Sequence, residues 1–145
     1  MQSNLQNQMT MTFFSRSENE AFARNAVAAF ALPLSPTVEE IGDIKTAVSE
    51  AVTNCIVHGY KNATGMIYIT VSLFDNRTVK IDIKDKGCGI ENVNQARQPL
   101  YTTDAENERS GMGFTVMESF CDKVRVYSKC GKGTTVTLLK KFQEK

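Results

Sequence analysis

The sequence predicts an α+β fold in which helices pack on one face of a mixed β-sheet. Three observations carry this. Apolar residues recur at helical spacing between Phe22 and Ile56, the period drops to two between Met66 and Ile83, and a second alternating pair follows residue 123. The chain has 145 residues, 41% apolar and 23% charged, which predicts one domain over residues 1–145 with a core that needs no staples.

Residues 8–14 alternate weakly and predict a first strand. Ser17 and Glu20 have the spacing of a capping box. The helix they open carries Phe22, Ala23, Ala26, Val27 and Phe30 on its expected inner face and stops before Pro33. Ser35 and Pro36 then offer an N-cap and a first-turn proline for a second helix ending at about Gly59. Ile67, Ile69, Val71 and Leu73 form one strand face, and Val79, Ile81 and Ile83 another, with a turn at Asn76 and Arg77. Residues 91–110 are polar and irregular, a length of loop that is usually functional or disordered. A helix over 111–120 and a hairpin of 124–127 with 134–139, turning at 131–133, complete the order.

Composition excludes several classes. The net charge of +1 gives no field for nucleic acid. No apolar run reaches the roughly 18 residues of a membrane span, and the first twenty residues lack a signal-peptide core, so the expected location is the cytoplasm. Cys55, Cys88, Cys121 and Cys130 form no CxxC pair, and His58 is the sole histidine; the thiols read as free rather than as zinc ligands.

Three places carry chemistry. Glu50, Asn54 and His58 share a stripe at i, i+4 and i+8 of the second helix, beside the apolar row Ile44, Val48, Ala51, Val52 and Cys55. Such a stripe is ordinarily a solvated face. Asn is a poor mid-helix residue, however, and Glu with Asn could set a base beside a hard cation. Asp85-x-Gly87-x-Gly89 follows a strand; an ordinary turn fits, and so does a carboxylate facing a planar ligand whose approach the glycines allow. Arg109, Ser110, Gly111 and Gly113 lead into a helix whose N-terminus suits phosphate, although a simple loop-to-helix joint reads the same way. No P-loop is present, and the GxG follows a loop rather than a strand, unlike a dinucleotide fingerprint.

Taken in order, Glu50-xxx-Asn54, Asp85-x-Gly87-x-Gly89 and Gly111-x-Gly113 resemble the N, G1 and G2 boxes of the GHKL (Bergerat-fold) ATPases and kinases. SENEAFAR (17–24), SEAVTNCIVHGY (49–60), DKGCGI (85–90), ARQPLYTT (96–103) and ERSGMGF (108–114) are similar to the switch-kinase branch that holds sigma factors in sporulating bacilli and clostridia. The resemblance covers about Met9 to Lys140. It implies an ATP-dependent serine protein kinase that is also an anti-sigma factor. Its cofactors would be ATP or ADP with Mg2+, its partners sigma-F and an anti-anti-sigma factor carrying the substrate serine, and its state a homodimer through the first strand and helix.

The same resemblance implies individual roles. Glu50 would be the general base, Asn54 the magnesium ligand and Asp85 the acceptor for the adenine amino group. Gly87, Gly89, Gly111 and Gly113 would shape the pocket and a lid over about 95–110. Arg109 and Ser110 would meet phosphate, Thr134 would close the adenine side, and Glu20 and Arg24 would lie on the partner surface. Cys88 departs from the small aliphatic residue expected there. Other readings are a switch kinase for another sigma factor, a nucleotide-dependent binding module, a histidine kinase catalytic domain and a stand-alone ATPase. The last two lack, respectively, a phosphotransfer helix pair and a transducer.

Overall fold

The computed structural model describes residues 3–90 and 113–143. Its elements are β1 (Leu5–Phe14), α1 (Glu18–Ala31), a 3-10 turn (Leu32–Leu34), α2 (Val38–Asn54) and a π-turn (Cys55–Gly59). They continue with β2 (Met66–Phe74), β3 (Thr78–Asp85), α3 (Gly113–Phe120), β4 (Lys123–Lys129) and β5 (Gly133–Lys141). The strands form one sheet in the order β1-β2-β3-β5-β4.

The class and the one-sided packing are as expected, but the sheet is not mixed: every neighbouring pair is antiparallel. The reason lies in the connections. Two helical passes, α1 and α2, return the chain to the end of the sheet where β1 finished, so Phe14 lies opposite Met66 and β2 runs back along β1. Parallel neighbours need an odd number of crossing elements between them.

Alternation decides the faces. Ile67, Ile69, Val71, Leu73, Val79, Ile81, Ile83, Val136 and Leu138 point inward and are buried against Val27, Ala31, Ile44, Val48 and Val52 of the helices. The outward residues are polar, as in Thr10 facing Thr70 across 3.1 Å and Thr137 donating to Asp82 at 2.5 Å. Helix α2 lies against both α1 and α3. Among the described residues no helix is long and apolar enough to cross a membrane.

Two helix starts differ from the sequence reading. Ser17 has helical dihedrals, φ −57° and ψ −32°, and its side chain caps nothing. A capping oxygen needs extended backbone to swing over the first turn, and Glu20 is engaged by Arg24 instead. The face of α1 is also rotated. Ala23, Val27, Ala28 and Ala31 are buried, whereas Phe22 is 60% exposed.

At α2 the cap is Thr37 rather than Ser35, which sits in the left-handed region at φ 53°. The Thr37 hydroxyl accepts from the Glu40 N–H at 3.0 Å, and the Glu40 carboxylate accepts from the Thr37 N–H at 2.9 Å and from the Gln143 N–H at 2.8 Å. Burial alone would raise the Glu40 pKa, but these hydrogen bonds, helped by the Lys140 charge, hold it below the usual 4.5. Its contribution to stability is therefore complete above that value and drains away as pH falls through the lowered one. Thr37→Ala is expected to cost about 1 kcal/mol. A urea titration checks this: the midpoint should drop with an unchanged slope.

Candidate nucleotide site

The second helix does not end as a plain α-helix. After Asn54 the chain widens into the π-turn Cys55–Gly59, a form that recurs at functional sites. The wider turn takes His58 out of the 3.6-residue phase that joined it to Glu50 and Asn54. It also turns backbone carbonyls toward the segment after β3: Gly59 O accepts from the Cys88 N–H at 2.9 Å, and His58 O accepts from the Cys88 thiol at 3.2 Å.

Asp85 is the last residue of β3 and is 4% exposed. The Gly87 N–H donates to its Oδ1 at 2.9 Å. The Cys55 thiol and the Thr134 backbone N–H also face the carboxylate. Burial still outweighs these donors and pushes the Asp85 pKa up. Cys55 is buried beside it, and that burial together with the adjacent carboxylate raises its own pKa well above a free thiol. Neither the thiol donor nor the π-turn was legible from apolar spacing, which marked Cys55 only as core.

The glycines of this segment allow close backbone approach. A Cβ at Gly87 would lie 2.0 Å from the Gly59 carbonyl oxygen, so any side chain there would push the strand end off the π-turn. Gly89 adopts φ +76° and packs on the Lys129 carbonyl, where a Cβ would stand at 2.3 Å. Tyr60 pins the segment from the other side, accepting from the Lys86 N–H at 2.7 Å and donating to Met66 O at 2.6 Å. Thr134, opposite Asp85 in the β3–β5 register, is buried and its hydroxyl pairs with Ser128 Oγ at 2.8 Å.

One turn back on α2, the side-chain oxygen of Asn54 is buried and, among the described residues, has no hydrogen-bond partner. A buried, unpaired amide oxygen is costly. Such an oxygen suits a hard cation that takes one protein ligand and fills its remaining positions with water and phosphate. Glu50 precedes Asn54 by four residues on the same helix, is half-buried and has an interaction partner of its own.

The structure thus draws Glu50, Asn54, Asp85, Gly87, Gly89 and Thr134 to one end of the sheet, where β3 and β5 meet the C-terminal turn of α2. Arg109, Ser110, Gly111 and the expected lid lie outside the described residues. Gly113 opens α3. Glu20 and Arg24 stand apart on α1, paired with each other. The exposed Phe22 on that helix was missed because its spacing matched the inner row.

Comparison with known proteins fits this geometry. The histidine kinase-like ATPase domain family matches residues 13–140. The anti-sigma F factor of Anoxybacillus flavithermus is 56% identical over 137 residues, covering 94% of this chain and 93% of that protein. That of Clostridium acetobutylicum is 54% identical over 138 residues, covering 95% and 96%. A crystal structure of the RsbU and RsbW domains of a Mycobacterium tuberculosis protein superposes with a TM-score of 0.70 at 19% identity, over 97% of this chain and 34% of that one. The histidine kinase domain of a blue-light activated kinase from Erythrobacter litoralis gives a TM-score of 0.55 at 18% identity, over 87% and 60%. The chain carries an ATP-binding, kinase-like ATPase fold and belongs to the anti-sigma F factors.

Proposed function

We propose that this protein holds sigma-F in a nucleotide-dependent complex and, with ATP, phosphorylates a serine of an anti-anti-sigma factor. The observation that carries the reading is the Asn54 oxygen, buried without a partner among the described residues one helical turn from Glu50. This supports a reading in which a magnesium ligand and a base stand side by side on one rigid element. The relatives named anti-sigma F factor support the sigma partner.

In this reading Asp85 accepts from the adenine amino group, Thr134 closes that side, and Gly87 and Gly89 let the base lie against the backbone. Arg109, Ser110, Gly111 and Gly113 receive the phosphates. Asn54 holds magnesium, which when bound draws charge from the phosphate oxygens. Glu50 accepts the proton of the serine hydroxyl as its oxygen bonds to the terminal phosphorus and the bond to ADP breaks. Glu20, Arg24 and the exposed Phe22 form a partner surface on α1. The edge strand β1, with Leu5 52% and Phe14 54% exposed, supports a homodimer through that strand and α1. The whole chain acts as one domain in the cytoplasm.

The test mixes the purified protein with magnesium, terminally labelled ATP and each candidate partner. Label on a serine of the anti-anti-sigma factor, and retention of sigma-F when nucleotide is present, are the expected outcomes. Nucleotide binding with neither label transfer nor sigma retention would overturn the reading.

A further inference from the structure

Three consecutive backbone N–H groups at the end of β3 each have a fixed acceptor. The Lys86 N–H donates to the Tyr60 hydroxyl at 2.7 Å, the Gly87 N–H to Asp85 Oδ1 at 2.9 Å, and the Cys88 N–H to Gly59 O at 2.9 Å. The outer two acceptors belong to adjacent residues, Gly59 closing the π-turn and Tyr60 following it. They grip the segment on either side of Gly87 and so fix where its N–H points. That N–H in turn fixes one oxygen of the Asp85 carboxylate. The carboxylate lies over Gly59, where a Cβ would stand 2.8 Å from Oδ2.

The Tyr60 hydroxyl also ends the β2–β3 ladder. The register runs to Ile67 opposite Asp85, which makes Met66 and Lys86 the next rung. The hydroxyl stands in that rung, donating to Met66 O at 2.6 Å while it accepts from the Lys86 N–H. Two hydrogen bonds in series through one oxygen span more than the single N–H···O bond of about 3 Å that a direct rung makes. The phenol is thus a wedge that lets the chain leave β2 just past Asp85 and turn to the π-turn. Gly65 gives the ring its seat, since a Cβ there would lie 2.3 Å from Tyr60 Cε1. Burial pushes the Tyr60 phenol above its usual 10, so across the neutral range it keeps the proton that Met66 O accepts.

We propose that Tyr60 is a positioning residue for base selectivity: its hydroxyl, wedged between β2 and β3, sets Lys86 and, through Gly87, the orientation in which Asp85 meets the base. The inference rests on the reading of Asp85 as acceptor for the adenine amino group. Without the hydroxyl, Met66 O and the Lys86 N–H satisfy each other by closing the direct rung. Closure draws the Lys86 peptide toward β2 and turns the Gly87 N–H off Asp85. ATP, which uses the oriented carboxylate, then loses affinity. GTP, which sets a carbonyl there, has nothing to lose. A mere structural tie would lower stability, or both affinities together, and leave their ratio unchanged.

The test is Tyr60→Phe in the full chain, which keeps the ring and removes only the hydroxyl. Calorimetry with magnesium should show ATP affinity reduced at least about fivefold, the lower end of what a broken hydrogen bond costs. GTP affinity should stay within about twofold of the parent, the scatter expected of uncoupled sites. Should the Phe variant fail to melt cooperatively, Gly65→Ala carries the same test, because it keeps the hydroxyl but displaces the ring. In the nucleotide-free chain the Gly87 amide should exchange faster in the variant, a readout that does not depend on which base binds. Added to Asp85→Asn, Tyr60→Phe should cost ATP no more than about a further twofold, because it acts through the carboxylate. A parent that binds ATP and GTP equally overturns the reading of Asp85 and this inference with it. Where the parent discriminates, the inference alone is overturned by an unchanged ATP-to-GTP ratio in the variant, by unchanged Gly87 exchange, or by full additivity of the two substitutions.

Discussion

Glu50→Gln is expected to reduce phosphate transfer to the anti-anti-sigma factor by roughly 10²–10⁴, the usual worth of a positioned general base. The amide keeps the volume and hydrogen bonding of the half-buried side chain and removes only its basicity. Asn54 and Asp85 are untouched, so ATP affinity should stay within a few-fold of the parent. Sigma retention should persist too, since it depends on the nucleotide-bound shape and an outer surface rather than on proton transfer. The variant becomes a locked inhibitor. All three quantities are measured on one preparation. Transfer at the parent rate removes Glu50 from the base role, and collapse of ATP affinity moves it to the metal or to the fold.

Asp85→Asn tests the other end of the site. The parent should prefer ATP over GTP by at least about tenfold, because a guanine carbonyl facing the carboxylate leaves two acceptors unpaired, at about 1–3 kcal/mol. Asn replaces one acceptor by a donor. Its amide hydrogens must face either the adenine amino group or the N–H groups of Gly87 and Thr134. ATP affinity should fall by the same 1–3 kcal/mol, about five- to 150-fold, and the preference over GTP should shrink. Calorimetry with both nucleotides decides; parent-like selectivity excludes Asp85 as the base reader.

The raised pKa of Asp85 adds a pH signature. ATP binding should weaken on acidification, beginning above the ordinary carboxylate value of 3.8. For stability the sign is reversed. A folded pKa above the unfolded one favours the fold at low pH, and that advantage is lost as pH rises through the folded value. The nucleotide-free Asn variant should therefore melt higher than the parent at neutral pH while binding ATP less well.

How far the sequence led can be read from single residues. Ile67 to Ile83 announced two strands because a half-buried sheet forces a period of two, and the structure buries those residues as expected. Spacing alone leaves Glu50 and Asn54 open between a solvated stripe and a base beside a cation, and Asp85 between an ordinary turn and a ligand-facing carboxylate; only the order of the motifs, through the family resemblance, gives each a role. Phe22 was misread because α1 buries a row of small residues, Ala23, Val27 and Ala31, against α2, and a large side chain at helical spacing looks like core. Thr37 was overlooked although Thr37-x-x-Glu40 is a capping-box pattern; the neighbouring Ser35-Pro36 gave the more familiar start signal. The π-turn leaves no mark in hydrophobic spacing, since one extra residue per turn alters phase only after the apolar row has ended.

The strand order has a consequence for how the molecule assembles. β2 with β3, and β4 with β5, are hairpins closed by tight turns, and pairing of that kind forms early because little chain must be ordered to reach it. The junction of β3 with β5 joins residues far apart in the chain, as in Asp85 opposite Thr134, and loop closure makes such contacts late. On the proposed reading, the adenine side of the site lies on that junction. A folding chain therefore offers nucleotide nothing to bind until its two hairpins have docked. Nucleotide acts on the finished fold as a latch: it holds the docked hairpins together by mass action and slows their separation, without guiding them to each other.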